Sequence, residues 1–144
     1  MFDGLDVGVQ PLFIAPGDLL RWAPRVAPHV AKMADASGGR YLTEDIFAAL
    51  ASGRMLLWIA IDGADIACVM VTEIMQYPRR RAMRCVGVSG HRPRRWMGLL
   101  ANVEEASRSR FGCDLMEALH QPGHDRLLRT GGWEVFHVLS EKVL

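Results

Sequence analysis

Seven arginines and no acidic residue lie between Arg79 and Arg95: Arg79-Arg80-Arg81, Arg84, Arg92, Arg94 and Arg95. Guanidinium groups at that density suit phosphate, whether of a nucleotide-bearing cofactor or of a nucleic-acid backbone, and they equally suit a solvated turn and helix start. The pattern around them narrows the chemistry. Met83–Ser89 is a short apolar run (Met83, Cys85, Val86, Val88) that reads as a strand, and the turn Ser89-Gly90-His91-Arg92-Pro93 follows it. Trp96, Leu99, Leu100, Val103 and Ala106 then recur three and four apart, on one face of a helix. Pro93 suits the first helical turn, where a missing N–H costs nothing. A strand feeding a helix sets unbonded backbone N–H groups and a partial positive charge beside Arg92, Arg94 and Arg95, which makes an anion or phosphate site.

Groups able to move a proton are fewer. Glu73 stands in an apolar strand, Val69-Met70-Val71-Thr72-Glu73-Ile74. There it either faces a cleft, stands on the solvent side, or pairs with a nearby arginine. Glu117, His91 and His120 are of the right type as bases, but spacing singles out none of them. His120 and His124 are four apart, yet Pro122-Gly123 lie between them and no third ligand accompanies them, so they read as loop histidines. Cys68, Cys85 and Cys113 are odd in number, lie in or beside strands and lack a C-x-x-C spacing. They read as buried free thiols in a reducing compartment, and no metal site is expected. Trp58, Trp96 and Trp133, with Met75, Met97 and Met116, read as packing residues.

The elements that must position these groups come from one chain of 144 residues, half of them hydrophobic, which is enough for a single domain, 1–144, with a real core. No apolar run approaches a membrane span, and no basic region followed by an apolar core opens the chain, so neither membrane nor secretion is expected. The net charge of +1 hides an asymmetry: Met1–Pro78 holds five basic and nine acidic residues, a balance of −4. The near-zero total and the lack of a known binding module weigh against a nucleic-acid partner, which only the basic block with Trp96 beside it favours.

Val7–Ile14 reads as a strand broken at Pro11, hence an edge. Asp18 is a good N-cap for a short helix. Pro24 and Pro28 predict a break near Ala23–Pro24 and a second helix from about Arg25 to Ala36, buried through Val26, Val30 and Met33 and ended by Ser37-Gly38-Gly39. Thr43 caps a helix with Glu44 and Asp45 in its first turn, Ile46, Phe47 and Leu50 inward, and Gly53 as its stop. Met55–Asp62 and Ile66–Gln76 are strands joined by Asp62-Gly63-Ala64-Asp65, a strong hairpin signal. After the central helix come a strand at Cys113–Leu119, a short helix at Gly123–Thr130 and a last strand at Trp133–Val143. The order is a mixed α/β or α+β layer structure.

That order, from about Val7 to Leu144, resembles the GNAT superfamily of acyl-CoA-dependent N-acyltransferases. The hairpin Leu57-Trp58-Ile59-Ala60…Asp62-Gly63…Ile66-Ala67-Cys68-Val69 looks like that family's second and third strands, and Gly131-Gly132-Trp133-Glu134 like its Gly-aromatic entry into the last strand. Leu57-Trp58, Val71-Thr72-Glu73-Ile74, Tyr77-Pro78 and Gly132-Trp133 together are similar to small GNAT-like proteins of tailed phages and prophages. The resemblance implies a mixed, mostly antiparallel central sheet flanked by helices. It implies transfer of an acyl (acetyl) group from acetyl-CoA or another acyl-CoA to an amine, with the pyrophosphate on backbone N–H groups between the fourth strand and the next helix. Val88, Gly90, Arg92, Arg94 and Arg95 are then the expected cofactor residues, and Glu73 the first choice for the chemistry. Two features depart from the family. Arg95-Trp96-Met97-Gly98-Leu99-Leu100 matches Gln/Arg-x-x-Gly-x-Gly/Ala except at Leu100, and about Leu128 stands where many members have a tyrosine acid. They favour the rival expectation, a catalytically inactive GNAT-fold component of a phage or phage-derived particle, partnered by other particle proteins. The expected location is cytoplasmic, or virion-associated under the rival.

Overall fold

The centre of the molecule follows from one hairpin. In a computed structural model, which describes residues 9–90, 93–120, 124–134 and 139–144, β2 (Met55–Asp62) and β3 (Asp65–Gln76) pair antiparallel around Gly63 and Ala64. Gly63 takes a positive φ of 62°, which the tight turn requires. Met55–Ala60 is buried at every position, because helices cover both faces of this strand. β1 (Val9–Ile14) pairs antiparallel with β2, and β4 (Arg81–Gly90) pairs antiparallel with β3. β5 (Leu115–Ala118) pairs parallel with β4, so the five strands run in the order β1-β2-β3-β4-β5. β1 is the expected edge, and Pro11 sits there where, among the described residues, no second neighbour needs its N–H.

α1 (Leu19–Asp35) and α2 (Thr43–Ser52) cover one face, where Val26, Val30, Met33, Ile46 and Leu50 meet Leu57, Ile59, Val69 and Val71. α3 (Pro93–Ser109) and α4 (Asp125–Thr130) lie on the other, where Met97, Leu99, Leu100, Val103 and Leu128 meet Trp58, Cys68, Met70 and Met83. Trp58 is core, as expected, and its indole N–H donates to the Thr72 hydroxyl at 2.9 Å with both groups buried. Trp133 is half-buried and donates to Glu104 at 3.1 Å.

Three expectations need correction. α1 is one helix through Pro24 and Pro28, preceded by a 3-10 turn at Pro16–Asp18, and not two helices. Both prolines are exposed and one turn apart, so the carbonyls they leave unbonded, of Leu20 and Pro24, lie on the solvent side, while Val26, Val30 and Met33 hold the opposite face to the sheet. The cap of α2 is Leu42, not Thr43, and its backbone N–H is held by the Asp45 carboxylate at 2.8 Å. The last strand is not formed at either end of its expected range. Trp133–Glu134 and residues 139–144 are irregular, and the positions between lie outside the described residues. Leu139, Val143 and Leu144 are exposed, so no sheet face gathers them.

β4 carries the feature that shapes the site. Val71 faces Gly87 and Thr72 faces Cys85, so Val86 is an extra residue, a β-bulge. Val86 packs into the α1–α2 cluster, and a Cβ on Gly87 would stand 2.8 Å from Met33 Cγ, so α1 closes directly on this strand. At its end a Cβ on Gly90 would lie 2.9 Å from the Ala67 carbonyl oxygen, a backbone atom with no rotamer to yield.

Gly90→Ala is therefore expected to lower unfolding stability by about 1–3 kcal/mol, whereas Gly17→Ala, with nothing within 4 Å, leaves it unchanged; urea unfolding of both variants checks this. Thr72→Val, which strands the buried Trp58 N–H, is expected to cost about 1–3 kcal/mol, and Trp58→Phe in the same chain to cost less than the sum of the two single changes. A double-mutant cycle in urea reads that coupling.

Candidate active site

β4 and β5 run side by side for only four pairs, from Ala82–Leu115 to Cys85–Ala118. β4 then continues through Val86–Gly90, with no partner on its β5 side among the described residues, and leads to α3 at Pro93. The two parallel strands thus part at their carboxyl ends, beside a helix start. Parallel strands offer their ligand crevice at that end, and the helix start adds unbonded N–H groups.

The expected cofactor residues fall around this fork. Val88 is half-buried on β4 and packs toward α3, and Gly90 is the last residue of β4. Arg94 and Arg95 belong to the first turn of α3, though their side chains, like all of Arg92, lie outside the described residues. Pro93 opens the helix, so Gly98 is inside α3 and not in the loop. Leu100 is 3 % exposed in the α3 core. That placement accounts for the large residue where a phosphate loop needs a small one: Leu100 packs in a helix face and is not part of a loop. Leu128 is 4 % exposed and likewise core, so no acid occupies that position.

Glu73 is not gathered into the same place. It stands opposite Arg84, while Ser89 stands opposite Val69, four residues away and about 13 Å along the strand. The Glu73 carboxylate pairs with Arg54 at 3.2 Å, so of its three sequence readings it takes the paired one, with an arginine from outside the basic block. Glu117 pairs with Arg84 at 2.9 Å and accepts the Tyr77 hydroxyl at 2.6 Å, and Arg84 also donates to that hydroxyl at 3.1 Å. The hydrogen bond to Glu117, more than any other influence, raises the Tyr77 phenol above its ordinary pKa. This cluster ties β4 to β5 just before they part. A groove of about 470 Å³ lined by Tyr77, Pro78, Arg79, Arg80, Leu115 and Glu117 opens at the other, amino-terminal end of these strands, away from the helix start.

The basic block does not form one surface. Arg79 and Arg80 are exposed on the turn before β4, and Arg81 donates through Nε to the Phe111 carbonyl at 2.8 Å. Arg94 and Arg95 follow the far end of β4, a ten-residue strand about 30 Å long. The block falls on this strand and at its two ends, and the extended strand separates those ends.

Sequence reasoning missed His29. It lies on α1, one turn before Met33, and its Nδ1 shares a hydrogen bond of 2.8 Å with the Ser89 hydroxyl on β4. A histidine directly after Pro28 carries no motif, and its hydrogen bond to Ser89 forms through the docking of α1 on β4. The three thiols are free, as expected; Cys68 and Cys113 are buried as well, whereas Cys85 is half-buried. Burial pushes Cys68 from 9.0 up to about 12, with Cys85 nearby adding to the rise. Burial also pushes Cys85 to about 12, against the opposing Gly87 amide. Thiols held protonated are not nucleophiles at neutral pH. Among the described residues no group of histidine, cysteine and carboxylate side chains could hold a metal, and no helix is long and apolar enough to cross a membrane.

No family model matches the chain, and no curated protein matches it in sequence. Solved structures do. A GCN5-related N-acetyltransferase from Ralstonia eutropha JMP134 superposes with a TM-score of 0.68 at 17% identity, over 94% of this chain and 99% of that one. The chain has the N-acetyltransferase fold. An aminoglycoside acetyltransferase from an uncultured soil metagenomic sample, solved with sisomicin, gives 0.67 at 13% identity over 97% and 99%. A predicted acetyltransferase from Clostridium acetobutylicum, solved with acetyl-CoA, gives 0.67 at 12% identity over 94% and 96%. At these identities the shared property is the fold, with its mixed, mostly antiparallel sheet and flanking helices.

Because the folded chain holds the Cys68 and Cys85 protons that the unfolded chain releases above pH 9, stability is fully present below pH 9 and is expected to fall as pH rises toward 12. The thermal midpoint measured across that range should decline less steeply in Cys68→Ala/Cys85→Ala. Iodoacetamide at pH 8 should label neither thiol until the protein unfolds.

Proposed function

We propose that this protein transfers an acyl group from acetyl-CoA or another acyl-CoA to an amine. The observation that carries the reading is the parting of β4 from β5 beside the start of α3, in a fold shared with acetyltransferases. The thioester arm of the cofactor enters the fork along Val86–Gly90. Its pyrophosphate meets the backbone N–H groups that follow Gly90, with Val88 lining the approach and Arg92, Arg94 and Arg95 supplying charge. The amine attacks the thioester carbonyl directly, and backbone N–H groups of β4 beyond its last β5 pair stabilise the oxyanion. Glu73, held by Arg54, remains the sequence's own choice of base.

A second reading rests on Leu128. With a core leucine where the family's acid is expected, the fold would serve as a catalytically inactive particle component with other particle proteins as partners. One experiment separates the two. Calorimetric titration with acetyl-CoA is expected to give micromolar binding, weakened about tenfold by Arg94→Ala and by Arg95→Ala, the loss of one charged hydrogen bond each. No binding at millimolar acetyl-CoA would remove the transferase reading and leave the second.

A further inference from the structure

We propose that the groove at the amino-terminal ends of β4 and β5 binds an acidic segment of a partner protein, an apolar side chain set between carboxylates. The proposal does not depend on acyl transfer, because the groove lies at the strand ends away from α3. Its floor is apolar. Pro78 is exposed and the Tyr77 ring half-buried. Leu115 is half-buried and packs into neither core, although its neighbour Met116 joins the core on the α3 side. Strand alternation sets Leu115 and Glu117 together on the opposite face of β5.

The charge around that floor is one-sided. Glu117 is neutralised by Arg84 at 2.9 Å and accepts the Tyr77 hydroxyl at 2.6 Å. The nearby Asp114 carboxylate accepts the Arg81 backbone N–H at 2.9 Å. Arg79 and Arg80 are exposed, and among the described residues neither guanidinium has an acceptor. The turn that carries them is already set. The Tyr77 N–H donates to the Arg80 carbonyl at 2.8 Å, and Pro78 fixes one corner. Gln76 donates to the Tyr77 carbonyl at 2.9 Å and accepts from Arg81 at 3.1 Å. Binding then orders two side chains and not the backbone beneath them. Two free guanidiniums over an apolar floor complement carboxylates that flank an apolar side chain. The groove is open, which suits an extended chain better than a small anion that a site must enclose. A long polyanion such as nucleic acid has no use for the apolar floor, and the balance of −4 over Met1–Pro78 repels it.

The full chain is titrated into a fluorescein-labelled peptide, Ser-Glu-Glu-Leu-Glu-Glu-Ser, and binding is read by fluorescence anisotropy. Micromolar affinity is expected, weakening as salt is raised. In Arg79→Ala/Arg80→Ala the affinity should fall by about tenfold or more, the loss of at least one charged hydrogen bond. Both side chains are exposed, so the urea midpoint of that variant should equal the native one and the loss is not one of folding. On the native chain, a peptide with Ser in place of its Leu should bind about fivefold more weakly, through the apolar contact it lacks. No binding at millimolar chain would overturn the proposal. So would equal affinity of the native chain and the variant, or of the two peptides for the native chain. Tighter binding of a labelled oligothymidylate, lost in the same variant, would assign the groove to nucleic acid and overturn it as well.

Discussion

The bulge at Val86 is the constraint on which the rest depends. A strand of even pleat would carry β4 alongside β5 and direct alternate side chains to alternate faces. The extra residue turns Val86 and Gly87 to the same side, toward α1. Gly87 has no side chain there, and Met33 fills the space. Just before the bulge, the Tyr77–Glu117–Arg84 cluster fastens the two parallel strands, and just after it they separate. The same strand therefore pairs with its neighbour at one end and, among the described residues, runs without a β5 partner at the other. Its tip is anchored by the close packing of Gly90 on Ala67 and by the link from Ser89 to His29.

Two apolar cores hold this arrangement from opposite sides. β2 and the first part of β3 contribute to both, which is why they read as unbroken apolar runs. Along β4 the fully buried Ala82 and Met83 give way to half-buried Arg84–Val88, and Ser89 is buried again before exposed Gly90. Buried Cys68 and half-buried Cys85 lie on the α3 side of the sheet as packing groups, and desolvation raises the pKa of both thiols.

The parts of this that were legible in sequence are local ones. Gly63 marks its hairpin, Gly53 ends its helix, and the spacing of Leu99, Leu100 and Val103 fixes the face of α3, because each signal is decided within a few residues. Pro24 and Pro28 misled because breaking a helix depends on where the freed carbonyls point, and tertiary packing sets that direction. The last expected strand failed at both described ends although its alternation was regular, since a pattern of period two gives no partner to pair with. For the site, the turn after β4 was visible as a strand-to-helix junction, whereas its near-match at Arg95–Leu100 was a helix face. The bulge, the parting of β5, the diversion of Glu73 to Arg54 and the meeting of His29 with Ser89 all arise between elements distant in sequence, and no spacing encodes them.

The most direct measurement of the central claim is amide hydrogen exchange of the chain with and without acetyl-CoA. If the fork is the cofactor site, acetyl-CoA slows exchange in Val86–Gly90 and in the first turn of α3 and leaves the turn at Arg79–Arg80 unchanged. Protection centred on Arg79–Arg80 and the groove beside Glu117, or none at a saturating concentration, would contradict it.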